Sequence, residues 1–245
     1  MIMGKYNNRP FSYSRYIEFE SGSPLFLNDD APEEAYRTSE MSFVAQPADE
    51  ELNKKHNVIP VPLMMTDEYE ILQKNPDLIE KLRNTEKTFD YNFVGQCHYV
   101  GREVFRDLDL ESYDFEENPK GVYGLPKDQK HVSLISFLYR IAKCKFVFCP
   151  RGVGSSSFRL YQSLMVGSIP IVTGMNDYPF KDEVDWDSFC IRGKLSDLPA
   201  LIEKSRSVDV EKMRENGMKF WDEYCEYENL YSKLHEIYKD SLCTT

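Results

Sequence analysis

Apolar residues in this chain come in short blocks, and the period inside each block predicts its shape. Within the first sixty residues, SPLFLNDD, MSFVAQP and NVIPVPLMM read as short strands with loops at their ends. TDEYEILQKNPDLIEKLRNTEK then reads as helix. Thr66 is placed to cap it, Ile79 and Leu82 have helical spacing, and Pro76 breaks or restarts it. YNFVGQ, from Tyr91, is a strand ending in a glycine turn, and GREVFRDLDLESYDFEENPKGVYGLPKDQ reads as a short helix and a polar, Gly/Pro-punctuated connection. In HVSLISFLYRIAK, residues Val132, Ile135, Leu138 and Ile141 recur at near-helical spacing.

The clearest pattern is FVFCPRGVGSSSFRLYQSLMVGSIPIV, from Phe146: strand, glycine turn, helix, turn at Gly167, strand. This is a βαβ unit, whose parallel strands need a right-handed connection. LSDLPALIEKSR and the run from Val210 to Leu242 read as helices. The second is amphipathic through Met213, Met218, Trp221, Tyr224 and Leu230 or Tyr231, with Gly217 as its expected interruption. The whole predicts an α/β chain with a doubly wound lobe from about Asp90 onward.

Composition mainly excludes. The 245 residues suffice for one large α/β domain or two small lobes around a cleft. No window approaches the roughly eighteen apolar residues of a membrane span. The opening MIMGKYNNRPFSYSRY lacks the apolar core of a signal peptide. A soluble, cytoplasmic protein without a transmembrane segment is expected. Cys97, Cys144, Cys149, Cys190, Cys225 and Cys243 are scattered, which predicts reduced, mostly buried thiols rather than a metal site or disulfide framework. A formal net charge of −11 argues against a nucleic-acid partner. Yet Gln129 to Asn176 contains no Asp or Glu, while Lys130, Arg140, Lys143, Lys145, Arg151 and Arg159 supply cations. Such an island is either an ordinary core with a few basic positions or an anion site.

The turn PRGVGSSS lies where open α/β sheets bind ligands, at the carboxyl end of a strand and the amino end of the next helix. Gly152 and Gly154 let backbone approach a ligand, and Ser155, Ser156 and Ser157 can cap the helix and donate hydrogen bonds. Phe158, Tyr161 and Met165 form one helix stripe, assigned to the core; Ser155, Arg159, Gln162 and Val166 form another, assigned to a cleft. Arg159 is then placed to meet a diphosphate, with Arg151 at the same helix end and Gln162 one turn further at about the distance of a ribose. The glycines alone are weak evidence, since neither G-x-G-x-x-G nor a Walker A loop is present.

The same stretch, followed by YPFKDEVDWDSFCI, resembles the exostosin family of glycosyltransferases. That family has a Phe/Cys/Pro-Gly turn, a Ser-x-Arg helix start, a Gly-x-Ile-Pro strand, and a Pro-Phe segment before an Asp-Trp pair. NVIPVP and YNFVGQCHYVGR are similar to two of its upstream segments, so the likeness runs from about Asn57 to Ile191. The resemblance implies a GT-B fold of two Rossmann-like lobes. The N-terminal acceptor-side lobe, residues 1–88, is reduced here. Residues 89–245 form the donor lobe, with the last helix able to pack back on the first. It also implies transfer with inversion from a UDP-sugar, without metal or other cofactor, onto a glycan or oligosaccharide acceptor. The donor sugars of the family include glucuronic acid, N-acetylglucosamine, galactose, arabinose and xylose. Carried over by position, Arg159 meets the donor diphosphate, Gly152 to Ser157 form the phosphate loop, and Arg102 is the upstream arginine near the cleft. The family usually has a glutamate three residues after the arginine. Gln162 stands there instead, able to accept through its carbonyl oxygen but uncharged.

Inverting transfer also needs a general base for the acceptor hydroxyl. Asp29 and Asp30, in FLNDDAPEE, are the candidates, with His98 behind them. Two alternatives stay open. One is a metal-dependent GT-A transferase using Asp107-Leu-Asp109, or the second such motif at Asp185 and Asp187. The other is a non-catalytic nucleotide-sugar or glycan-binding module.

Overall fold

The computed structural model describes residues 16–18, 24–27, 41–46, 50–55, 57–98, 101–118, 125–152, 154–175 and 177–243. The early apolar blocks form a small sheet. In it β1 (Tyr16–Glu18) runs antiparallel to β2 (Pro24–Leu27), while β2, β3 (Met41–Val44) and β4 (Val58–Pro60) are parallel. Helix α1 (Glu50–Lys55) connects β3 to β4. Helices α2 (Thr66–Lys74) and α3 (Leu78–Arg83) follow, separated at Pro76 as expected. Thr66 opens α2 rather than capping it; the cap position is Met65, with no side-chain bond.

A second, fully parallel sheet carries the βαβ unit. Its strands are β5 (Phe89–Gly95), β6 (Tyr113–Glu117), β7 (Cys144–Pro150), β8 (Ile169–Thr173) and β9 (Ile191–Gly193), in the order β6-β5-β7-β8-β9. This is a doubly wound order with its topological switch between β5 and β7, the place where open α/β sheets bind ligands at the carboxyl ends of the strands. Alternation along β7 divides the molecule: Val147 and Cys149 face one core, Phe146 and Phe148 the other. All five residues of β8 are buried, as a strand covered on both faces requires.

Helices α4 (Lys127–Ala142) and α5 (Phe158–Met165) pack on the first face, and α6 (Leu198–Ser205) on the second. The first core also takes in Phe43, Ala45, Val61 and Leu63, so both sheets share it. Every residue of α5 from Leu160 to Met165 is buried, including Gln162. Helix α7 (Val210–Phe220) crosses α5 at Gly217, where a Cβ would lie 3.0 Å from Leu164 Cδ2. That glycine permits close packing and does not interrupt the helix. The break comes at a π turn, Trp221–Cys225, before α8 (Tyr227–Cys243).

Two patterns read differently in three dimensions. The α4 face toward the core is Leu134, Leu138 and Ile141, and Val132 is 69% exposed. A strict three-residue step drifts about 60° around a helix each time, so the predicted stripe leaves the buried face at Val132 while Leu138 and Ile141 stay on it. Strand β6 stood in a segment taken for a connection. It is an edge strand whose Asp114 and Glu116 are held by Arg140 of α4, so no apolar run marks it.

The described cysteine side chains, Cys97, Cys144, Cys149, Cys190 and Cys225, are free and buried; burial pushes the Cys144 and Cys149 thiols up to about 12. Among the described residues no helix is long and apolar enough to cross a membrane.

Under the sheet, Lys87 donates to Ala142 O at 2.8 Å and Ser168 Oγ at 2.9 Å. Burial, with the nearby charge of Arg214, pulls its ammonium down to about 7. The unfolded chain keeps that proton to about pH 10.4. Between these values the unfolded state binds the extra proton, so this group makes the fold more stable as pH rises from about 7 to 10. In urea melts at pH 7 and 9.5, the stability of the parent minus that of Lys87→Met is expected to increase with pH. A constant difference would remove the argument.

Candidate functional site

Arg159 is the second residue of α5, which starts beside the switch point, and its side chain reaches back across both strand ends. Its Nη2 donates to Val94 O of β5 at 2.5 Å and its Nη1 to Phe148 O of β7 at 3.4 Å. The guanidinium carbon lies 4.9 Å from the Phe93 ring centroid. Gly95 makes room for this, because a Cβ there would sit 2.6 Å from Arg159 Nη2. Arg102, in the 3-10 turn Arg102–Phe105 after β5, adds a second guanidinium. It donates to Gln96 O and Pro150 O, each at 3.5 Å, and to Arg151 O. Two cations from separate elements thus cover the carbonyl ends of the two strands that flank the switch point.

Burial, together with the like charge of Arg102, pulls the Arg159 guanidinium down to about 10, so it remains cationic at neutral pH. Among the described residues no carboxylate pairs with it, and its buried Nε has no hydrogen-bond partner. A half-buried cation whose guanidinium is held only by carbonyls and a ring is costly to keep, and that cost falls when an anion reaches it.

The turn before α5 is tight. Gly152 N–H donates to Ser156 O at 3.1 Å, and Arg151 N–H to Thr173 O of β8 at 2.9 Å. Ser155 and Ser156 are buried, and Ser157 takes the extended cap position without a side-chain cap bond. The crevice between Arg151, Ser155, Ser156, Thr173 and Met175 is too narrow for a water molecule. A Cβ at Gly152 would meet Ser156 O at 3.4 Å, so the turn itself does not demand glycine there. Gly154 is half-buried. From the first sheet, Gln46 brings its Oε1 to 3.5 Å from Ser156 N, at the amino end of α5.

The stripe assigned to a cleft is not open to one. Val166 is fully buried, and Gln162 is 7% exposed, its Nε2 donating at 2.5 Å to Glu68 Oε1 of α2. Helix α5 is packed between the sheet, α4 and α7, which leaves its second turn buried. Only its first turn, with Arg159, reaches the strand ends.

The basic island also divides. Lys130 pairs with Asp67, Arg140 with Asp114 and Glu116, and Lys145 with Asp90 at 2.7 Å. These carboxylates come from other segments, so sequence distance had hidden the pairing. Arg151 and Arg159 are left at the turn. Arg151 is exposed, and its stem packs on Gly174, whose φ is +83° and where a Cβ would lie 2.9 Å from Arg151 Cδ.

Asp185 caps the turn Trp186–Ser188 by accepting from Asp187 N–H at 3.1 Å, and Asp187 binds Arg192 at 2.5 Å. That Asp-x-Asp motif is occupied with local structure. Asp107, Asp109 and His98 are exposed. Among the described residues no three acidic, His or Cys side chains are grouped to hold a metal. Asp29 and Asp30 lie outside the described residues, beyond the end of β2 at Leu27.

Residues 24–208 match the family model described as the Exostosin GT47 domain. The chain is also 31% identical over 127 residues to a protein of Arabidopsis thaliana named a probable glycosyltransferase. The aligned stretch is 49% of this chain and 23% of that protein.

Proposed function

The chain belongs to the exostosin GT47 family, and from that premise we propose that it transfers a sugar from a nucleotide donor, UDP-linked, onto a glycan hydroxyl. The observation that carries the reading is the pair Arg159 and Arg102 on the strand ends at the switch point of the sheet. A leaving diphosphate there would gain two fixed cations and the amino end of α5, the preorganised charge such a departure needs. Arg151 and the turn Gly152, Gly154, Ser155, Ser156, Ser157 line the approach, whereas Gln162, buried and donating to Glu68, is not in reach of a ribose hydroxyl in this arrangement.

In this reading the two sheets stand for the two lobes of a GT-B enzyme, and Asp30 or Asp29, which follow β2 in the sequence, supplies the base. Attack by the acceptor oxygen on the anomeric carbon would form the new glycosidic bond. The bond to the diphosphate oxygen breaks with its electron pair, the hydroxyl proton passes to the carboxylate, and configuration inverts. The transferred sugar is a hexose or a pentose. Arginines and a helix end perform the task a metal has in other transferases, so no metal is required in this scheme.

UDP at 100 times its Kd is expected to add about 2.7 kcal/mol of stability, or about 5–10 °C in Tm for a chain of this size. EDTA should leave that shift unchanged; strict dependence on Mn²⁺ would reject the metal-free scheme. Slow release of free sugar from the donor separates an enzyme from a binding module, and NMR of the product should show the inverted anomer.

A further inference from the structure

At the amino ends of the parallel strands, the far end of the sheet from Arg159, lies an open hollow of about 420 Å³ lined by Phe89, Asp114, Ser136, Tyr139, Arg140 and Lys143. Its volume falls within the roughly 300–1,000 Å³ of small-ligand sites, and aromatic rings with a few convergent polar groups are their usual lining. Ser136, Tyr139, Arg140 and Lys143 stand at i, i+3, i+4 and i+7, so one face of α4 and its cap supplies them. Folding accounts for Arg140 and Asp114, which hold edge strand β6 through bonds of 2.6 and 2.7 Å. It does not account for the rest. Phe89 is 37% exposed and belongs to neither core. Lys143 is exposed and, unlike Arg140 and Lys145, pairs with no carboxylate among the described residues. The hydroxyls of Ser136 and Tyr139 have no hydrogen-bond partner among them either.

We propose that this hollow is a second glycan site, separate from the transfer centre, which holds an acidic sugar unit of the uronic acid type. The class of ligand, a glycan, rests on the reading above; the place and the acidity rest on these side chains. A sugar ring has an apolar C–H face and a rim of hydroxyls. Phe89 offers surface to the first. For the second, the Arg140–Asp114 pair is a fixed edge with both kinds of polar group: three of the five guanidinium N–H groups are engaged, and the rest can donate beside carboxylate lone pairs that accept. Lys143 adds the ammonium that a carboxylate on the sugar would neutralise. Strand β5 separates this site from Arg159 by its own length, about 20 Å at 3.3 Å per residue. A chain gripped there gains effective concentration at the transfer centre without a new contact to the reacting groups.

Calorimetry with trigalacturonate, its methyl ester and inorganic sulfate tests this. The acid is expected to bind about fivefold more tightly than the ester, the share of one charge-assisted contact at an open site, and sulfate at equal concentration should not displace it. Lys143→Gln should abolish the preference for the acid and leave the ester's affinity unchanged. Phe89→Ser should weaken both sugars roughly threefold to tenfold. Neither variant should alter UDP affinity, since the donor site lies at the other end of the sheet. The proposal is overturned if trigalacturonate does not bind, if acid and ester bind alike, or if both variants bind them as the parent does. Sulfate competing as well as the trisaccharide would leave a surface anion site only, and overturns it too. UDP binding without trisaccharide binding rejects this inference alone; the reverse outcome rejects the donor reading and leaves the hollow a sugar site.

Discussion

Arg159→Met is expected to weaken UDP binding at least about 100-fold while leaving Tm unchanged or raising it. The binding loss follows from removing the guanidinium that spans Val94 O and Phe148 O, since truncating a desolvated charge that meets a charged partner costs about 2–5 kcal/mol. The stability gain follows from the cation having no carboxylate among the described residues, so its desolvation is uncompensated in the empty protein. An unbranched apolar side chain of similar length fills the same channel over Phe93 without that cost. Alanine is a poorer probe. Both variants remove the donor to Val94 O and Phe148 O, but alanine also leaves a cavity beside Phe93, and about 2 kcal/mol of stability would go with that cavity. Calorimetry with UDP and a thermal melt read both effects. Retained UDP affinity in Arg159→Met would remove the centre of the functional reading; a Tm fall of many degrees would show that the arginine is there for the fold.

Gly95→Ala should reach the same site without touching the arginine. The added methyl would come within 2.6 Å of Arg159 Nη2, the far end of a flexible side chain, so the guanidinium moves and β5 does not. Stability should change by less than about 1 kcal/mol, whereas UDP affinity should drop at least about tenfold because the cation no longer sits over the strand ends. The double variant with Arg159→Met should bind no worse than Arg159→Met alone, since both act through one group. Additive losses would mean that Gly95 contacts the ligand by itself, and an unaffected Gly95→Ala would mean that the guanidinium position is not what counts.

Together these expectations describe a common compromise, in which a site carries an interaction that the empty fold would be better without. Arg159 is of this kind, a half-buried cation that no carboxylate among the described residues pairs with.

Local patterns were enough for much of the architecture. The βαβ unit around PRGVGSSS, the helix break at Pro76 and the all-buried strand IPIVT are written in short-range periodicity, because backbone hydrogen bonding repeats every two or 3.6 residues. The same physics explains the misses. An edge strand such as YDFEE buries neither face fully and so needs no apolar alternation, and a glycine packed between helices looks like a helix breaker until its neighbour is known.

The sequence by itself determined which residue types stand at the end of β7, and therefore that an anion could be met there: Arg151, Arg159 and a serine-rich turn in a run free of acids. Tertiary structure alone decided which of those cations are available. Lys130, Arg140 and Lys145 were neutralised by carboxylates 63, 24 to 26 and 55 residues away, Arg159 was drawn onto Val94 O, 65 residues back, and Gln162 was taken by Glu68, 94 residues distant. Coulomb and hydrogen-bond energies depend on separation in space, and separation along the chain carries almost none of that information.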